Sequence, residues 1–140
     1  MKNRRGKNVE TLTIASKHKS QLINISSEVR EAVITSGIKE GICVVFTPHT
    51  TASVVLFENT DPKLQRDFLG ALSMIAPHDH QFSHAGGNAT AHIKSSRAGM
   101  SVTVPVAYGQ PLLGEWQGIF FAEFDGPREK REVIVKVIAG

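Results

Sequence analysis

Apolar and polar positions follow two periods along this chain, and the switch between them sketches its elements. Residues 9–16 alternate and are rich in Thr, Ile and Leu, and residues 21–25 follow after the polar His18-Lys19-Ser20, so the two read as a β-hairpin. Ser26 or Ser27 then suits a helix N-cap, Glu28 and Glu31 the first turn, Val29, Ala32 and Val33 an apolar stripe, and Gly37 the C-cap. Residues 41–47 and 52–58 are two apolar, β-branched runs separated by Pro48-His49-Thr50-Thr51, where the proline argues against one uninterrupted strand. A second helix starts at Asp61-Pro62, a cap followed by proline at the first helical position. Leu64, Phe68, Leu69, Leu72 and Ile75 recur at three- and four-residue spacing as far as Pro77.

Residues 77–91 are polar, contain glycine and are rich in histidine, and a long loop in a small domain is often functional. A short helix over 91–97, ending at Gly99, follows, and then strands at 100–106, 111–113, 118–124 and 132–139 with a turn around Tyr108-Gly109. Strands outnumber helices by more than two to one, and the helices are too few to alternate with strands in βαβ units. The predicted class is α+β: a largely antiparallel sheet folded into a sandwich, with two main helices and one short one. No internal repeat or linker divides the chain, so residues 9–140 are expected to form one domain behind a flexible basic tail at 1–8.

Composition narrows the function classes. No run approaches the roughly 18 apolar residues of a membrane span, and the basic N-terminus has no apolar segment behind it, so a soluble cytoplasmic protein is expected. The single Cys43 cannot form an internal disulfide and reads as a small buried hydrophobe. The net charge of +3 belongs to the tail: setting Lys2, Arg4, Arg5 and Lys7 aside leaves 12 of the 16 Lys and Arg against 13 Asp and Glu, so residues 8–140 carry −1. With no interleaving of basic and aromatic residues, nucleic acid is not expected as a partner.

The candidate chemistry is histidine chemistry. His78, His80, His84 and His92, four of the six histidines, fall within 15 residues, and converging neutral imidazoles are the commonest protein ligands for zinc and similar ions. A solvated loop that merely tolerates histidine is the other reading, because no HExxH or CxxC frame sets a geometry. His49 sits at the break between two apolar runs, either as a hydrogen-bonded turn residue or facing an anion together with Thr50 and Thr51. Lys94, Ser95, Ser96 and Arg97 form either a phosphate cradle or a solvated helix end. Asp125-Gly126-Pro127-Arg128 is a tight turn that sends Arg128 out from the sheet rim, Glu58 at a strand end needs a partner, and Trp116 lines a pocket or belongs to the core.

Five separated blocks, Pro48-His49-Thr50-Thr51-Ala52, Glu58-Asn59 with Asp61-Pro62, Ala91-His92-Ile93-Lys94-Ser95-Ser96, Gly114 with Trp116-Gln117-Gly118-Ile119, and Glu123 with Asp125-Gly126-Pro127-Arg128, occur in the order that resembles the YjbQ-like family. The resemblance runs from about residue 9 to 140. It implies a homotrimer of α+β subunits with a histidine pocket close to the subunit interface. It also implies a divalent metal there, most often zinc, with manganese, nickel or magnesium as alternatives, on His49, His84 and His92. His78 and His80 lie where such proteins vary. Many of them carry an acidic residue where this chain reads Ala85-Gly86-Gly87, which moves any carboxylate role to Glu58 or Glu123.

The activity implied is a secondary thiamine-phosphate synthase reaction joining a hydroxymethylpyrimidine diphosphate to a thiazole phosphate with release of pyrophosphate. On that reading His49 has a catalytic role as well as a ligand's, and Lys94 and Arg128 meet the charge growing on pyrophosphate. Thr50, Thr51 and Ser95 face the substrate, Trp116 orients a ring, and Glu58 or Glu123 orients a ligand histidine or handles a proton. A metal-dependent hydrolase of a small phosphorylated or acyl compound is one rival, with Glu58 or Glu123 as base. A non-catalytic trimer that binds a phosphorylated metabolite or an ion is the other.

Overall fold

The computed structural model describes the backbone of residues 2–6 and all of residues 8–140. The described chain runs β1 (Lys2–Gly6), β2 (Val9–Ser16), β3 (Gln21–Asn24), α1 (Ser26–Ser36), β4 (Gly41–Phe46), β5 (Ala52–Glu58), α2 (Pro62–Ile75), α3 (Ala89–Ala98), β6 (Ser101–Ala107), β7 (Gln110–Pro111), β8 (Gln117–Glu123) and β9 (Arg128–Ala139). A six-stranded sheet has the order β1-β2-β9-β4-β6-β7 and a three-stranded sheet the order β3-β8-β5, with every pairing antiparallel. This is the expected α+β sandwich. The basic segment expected as a tail supplies an edge strand over Lys2–Gly6, a role that needs only backbone groups; Met1, Lys7 and the side chains of 2–6 lie outside the described residues.

Strand β8 shows how the layers stack. Ile119 and Phe121 enter the core between the sheets, with Leu12 and Ile14 of β2, Cys43 and Val45 of β4, Val54 of β5, and Val133, Val135 and Val137 of β9. Ala122 and the adjacent Phe124 face the other way, onto Leu72 of α2 and Ala91 of α3. A strand covered on both faces reads as a continuous apolar run, as residues 118–122 do. The small sheet is therefore the middle layer, with the large sheet on one side and α2 and α3 on the other. Each fully buried Val, Ile or Phe in these cores contributes about 1.5–3 kcal/mol.

Three local expectations are corrected. β2 and β3 do not form a hairpin: β2 pairs with β9 and β3 with β8, because Ile14 and Ile23 approach the inter-sheet core from opposite layers. Helix α1 is preceded by Ile25 rather than capped by serine; the Ser26 Oγ instead accepts the Ile119 N–H at 2.9 Å and ties the helix to β8. Helix α3 begins at Ala89 and β9 at Arg128, each earlier than the apolar pattern indicates. The caps of α2 and α1 are as expected: Asp61 accepts from the Lys63 and Leu64 N–H groups, and Gly37 adopts φ 74° with its N–H on the Ile34 carbonyl. No described helix is long and apolar enough to cross a membrane.

Candidate functional site

The histidine-rich loop between α2 and α3 folds back over the start of α3. His84 and His92 meet edge to face with ring centroids 5.1 Å apart, and with Phe82, Ala89 and Ile93 they line a pocket of about 380 Å³. His84 is shared with a more polar pocket of about 470 Å³ lined also by His78, His80 and Thr90. The spatial cluster therefore includes His78 and His80, which the family resemblance set aside. Burial, then the charges of Lys94 and Lys19, lowers the pKa of His78 against the opposing pull of Asp79.

A polar chain runs behind His84. Its Nε2 lies 3.0 Å from Asn88 Oδ1, and Asn88 Nδ2 donates to Asp125 Oδ2 at 2.9 Å. Lys19 Nζ reaches Asp125 Oδ1 at 2.6 Å and an Arg128 guanidinium nitrogen reaches Oδ2 at 3.1 Å. Burial alone would raise the Asp125 pKa, but the hydrogen bonds from Lys19, Asn88 and Arg128 and the Lys19 charge hold it at about 2. The turn needs glycine at 126, where a Cβ would stand 2.1 Å from the His18 carbonyl oxygen.

His49 occupies a different setting. Its Nε2 accepts the backbone N–H of Glu132 at 2.9 Å, and with Pro127, Arg128, Glu129, Lys130 and Arg131 it lines a pocket of about 390 Å³. Burial, then repulsion from Arg131, lowers its pKa; Glu132 and Glu123 act in the opposite sense and Arg128 in the same one. Beneath this pocket Arg131 and Glu123 form a fully buried ion pair. Arg131 Nε donates to Glu123 Oε1 at 2.9 Å, a second guanidinium nitrogen reaches Glu123 Oε2, and the same nitrogen donates to Thr51 Oγ1 at 2.8 Å. Ser16 Oγ and the Asp125 N–H complete the carboxylate's shell. Burial would raise the Glu123 pKa, but these donors, Arg131 foremost, keep it below its ordinary value.

The remaining sequence candidates are spread out. Glu58, half-buried, closes a local cap: its carboxylate accepts the Thr60 N–H and hydroxyl and the Asp61 N–H, which lowers its pKa. Lys94 is 2% exposed and donates to Ser73 Oγ at 3.0 Å; burial, then Lys19, lowers its pKa. Ser95 Oγ donates to the Ala52 carbonyl at 2.5 Å, fastening α3 to β5. Thr50 is exposed, and Trp116 stands 59% exposed in the turn before β8.

Within one chain the donor set meets the implied metal only in part. Two imidazoles, His84 and His92, fit a divalent ion that favours nitrogen ligands. Within one chain the third does not join them: among the described residues no group of three His, Cys, Asp or Glu could hold a metal ion, and the His49 Nε2 lone pair is committed to Glu132. Sequence reasoning missed Asn88, Lys19 and Arg131 as parts of this architecture. For Arg131 a signal existed, since it stands in period-two phase with Val133, Val135 and Val137 and so had to point inward. For Lys19 there was none.

The fold and the histidine pocket define a small antiparallel α+β sandwich whose polar centre lies between one helix start and one turn. The chain belongs to the family described as UPF0047 protein YjbQ-like, whose model matches residues 10–140. It is 46% identical over 125 residues to the UPF0047 protein MJ1081 of Methanocaldococcus jannaschii, covering 89% of this chain and 90% of that protein. It is 40% identical to YugU of Bacillus subtilis, covering 87% and 93%. A crystal structure of a YjbQ/UPF0047 protein from Clostridium acetobutylicum superposes with a TM-score of 0.88 at 43% identity, covering 91% of this chain and 98% of that one. A Sulfolobus solfataricus protein of unknown function superposes at 0.91 and 30% identity, covering 94% and 96%.

Proposed function

We propose that this protein is a cytoplasmic, homotrimeric enzyme acting on a small phosphorylated metabolite. Its reaction class is the pyrophosphate-releasing transfer of a thiamine-phosphate synthase. The observation that carries the site is the edge-to-face His84–His92 pair opening onto adjoining pockets and backed by Asn88 and Asp125. His84 and His92 would hold a divalent ion, zinc before manganese, nickel or magnesium. Bound there, the ion supplies positive charge to phosphate oxygens.

The chain's own residues do the rest. Arg128, held by Asp125 and lining the His49 pocket, sets a guanidinium beside the space where a phosphate would lie. His49, neutral because burial and Arg131 depress its pKa, serves as a hydrogen-bond donor to the substrate rather than as a third ligand. Glu123 positions Arg131 and the turn that carries Asp125. Lys94 adds positive potential from inside α3. The hydrolase alternative is the weaker one, because both carboxylates that would serve as its base are saturated with donors.

The test is elemental analysis of untagged protein together with pyrophosphate release from a hydroxymethylpyrimidine diphosphate and a thiazole phosphate, in wild type, His84→Ala and His92→Ala. The reading expects bound metal and turnover in wild type and neither in the variants. Protein that stays metal-free after reconstitution overturns the metal site. Metal without turnover points to the non-catalytic binder.

A further inference from the structure

His84 has one side-chain hydrogen-bond partner in the described structure, the Asn88 amide at 3.0 Å, and that contact alone is ambiguous. An imidazole nitrogen either gives or takes a hydrogen, and a carboxamide presents either its oxygen or its NH2. The ambiguity ends one residue further back. The other end of the Asn88 amide lies 2.9 Å from Asp125 Oδ2, and Asp125 is clamped by Lys19 at 2.6 Å and Arg128 at 3.1 Å. A carboxylate paired with two cations only accepts hydrogen bonds. The Asn88 NH2 must therefore face Asp125, its oxygen must face His84, and the hydrogen between them must sit on His84 Nε2.

We infer that Asp125 and Asn88 are positioning residues that fix the neutral His84 ring as its Nε2–H tautomer and leave Nδ1 as the ring's only lone pair. A ligand histidine commonly donates its second ring N–H to an oxygen, which sets both its tautomer and its orientation. Gly86 is an independent sign that this bond is accommodated. A Cβ there would lie 2.7 Å from His84 Nε2 and 3.0 Å from Asn88 Oδ1, so the glycine leaves the space that the pair occupies. The consequence for metal binding rests on the reading of His84 and His92 as ligands; the tautomer does not.

The experiment is a long-range proton–nitrogen correlation of the imidazole rings in metal-free, nitrogen-labelled full-length protein at pH 8, with His84 assigned by a His84→Gln variant. Wild type is expected to show one species, with Nε2 bearing hydrogen and Nδ1 bare. Asn88→Leu and Asp125→Leu, checked for folding by their amide spectra, are expected to average the two nitrogens. A bare Nε2 in wild type, or variants whose His84 nitrogens do not move, overturns the inference. In parallel, zinc alone is titrated into each protein. Asn88→Leu should weaken zinc binding about 10–100-fold, as loss of a ligand's orienting partner does. Wild type that binds no zinc defeats the metal reading while the nitrogen spectra still decide the tautomer.

Discussion

His49 and His84 are the same side chain put to opposite uses by what the fold offers Nε2. At His49 the partner is a backbone N–H, that of Glu132 at 2.9 Å, so Nε2 is the acceptor and the neutral ring carries its hydrogen on Nδ1. At His84 the partner is the Asn88 carboxamide, itself turned by Asp125, and Nε2 is the donor. One ring keeps a hydrogen to give, in a pocket with Arg128 and Lys130; the other keeps a lone pair, beside a second histidine. Histidine count and spacing alone therefore do not say which ring offers a lone pair and which a hydrogen. The turn at 125–128 connects the two settings, since Asp125 orients Asn88 while Arg128 lines the His49 pocket.

The largest way to break this comparison is from beneath. Arg131→Met should leave Glu123 buried without its main partner and cost about 3–5 kcal/mol in urea unfolding. Adding Glu123→Leu should recover part of that loss, and a fully additive double variant would show that the two groups are not coupled. His49, next to that pair, should lose its setting in Arg131→Met while the His84 nitrogens keep theirs.

Asp125→Ala strikes the other region. Asp125 ordinarily titrates near 3.8 and is held at about 2, so its stabilisation is full above about pH 4 and disappears as pH falls towards 2. With Lys19 and Arg128 half exposed, the loss at pH 7 should be about 1–2 kcal/mol. The gap between wild-type and variant urea midpoints should close on acidification through that window. A gap that persists at pH 2 would assign the loss to packing.

His49 supplies a smaller, pH-dependent effect. Protonation would place a second hydrogen against the Glu132 N–H, so the folded state takes up that proton less readily than the unfolded chain. The resulting penalty is absent above about pH 6.5 and grows as pH falls below it. His49→Phe should flatten the dependence of the urea midpoint between pH 7 and 5. The smallest change is expected from Lys94→Met: a buried cation with a hydroxyl partner is replaced by an apolar chain of similar length, and the melting temperature should hold or rise. A marked fall would show that the Lys94–Ser73 contact stabilises α2 against α3.

Much of the architecture was legible because it is written in local period and cap chemistry. The 3.6-residue stripe with Asp61-Pro62 ahead of it produced α2, and Gly37 produced the end of α1. The five motif blocks led to the family that the whole-chain comparison bears out. The failures share a cause. β2 and β3 were joined as a hairpin because they are neighbours in sequence, whereas pairing is chosen by which layer each apolar face must cover. Glu58 looked costly because its donors, on Thr60 and Asp61, depend on a loop conformation that no periodicity reports.

Apart from the edge strand over Lys2–Gly6, the chain by itself determined which segments are strands and which are helices, which positions are apolar, and that histidines gather ahead of α3, because these follow from backbone propensity and side-chain chemistry over a few residues. Only the tertiary structure decided that Lys19, Asn88 and Asp125 form one network, that Arg131 pairs with Glu123, and that within one chain His49 lines a different pocket from His84 and His92. Those contacts span from 8 to 106 positions, and it is the packing of one layer on another that brings such distant groups within hydrogen-bond reach.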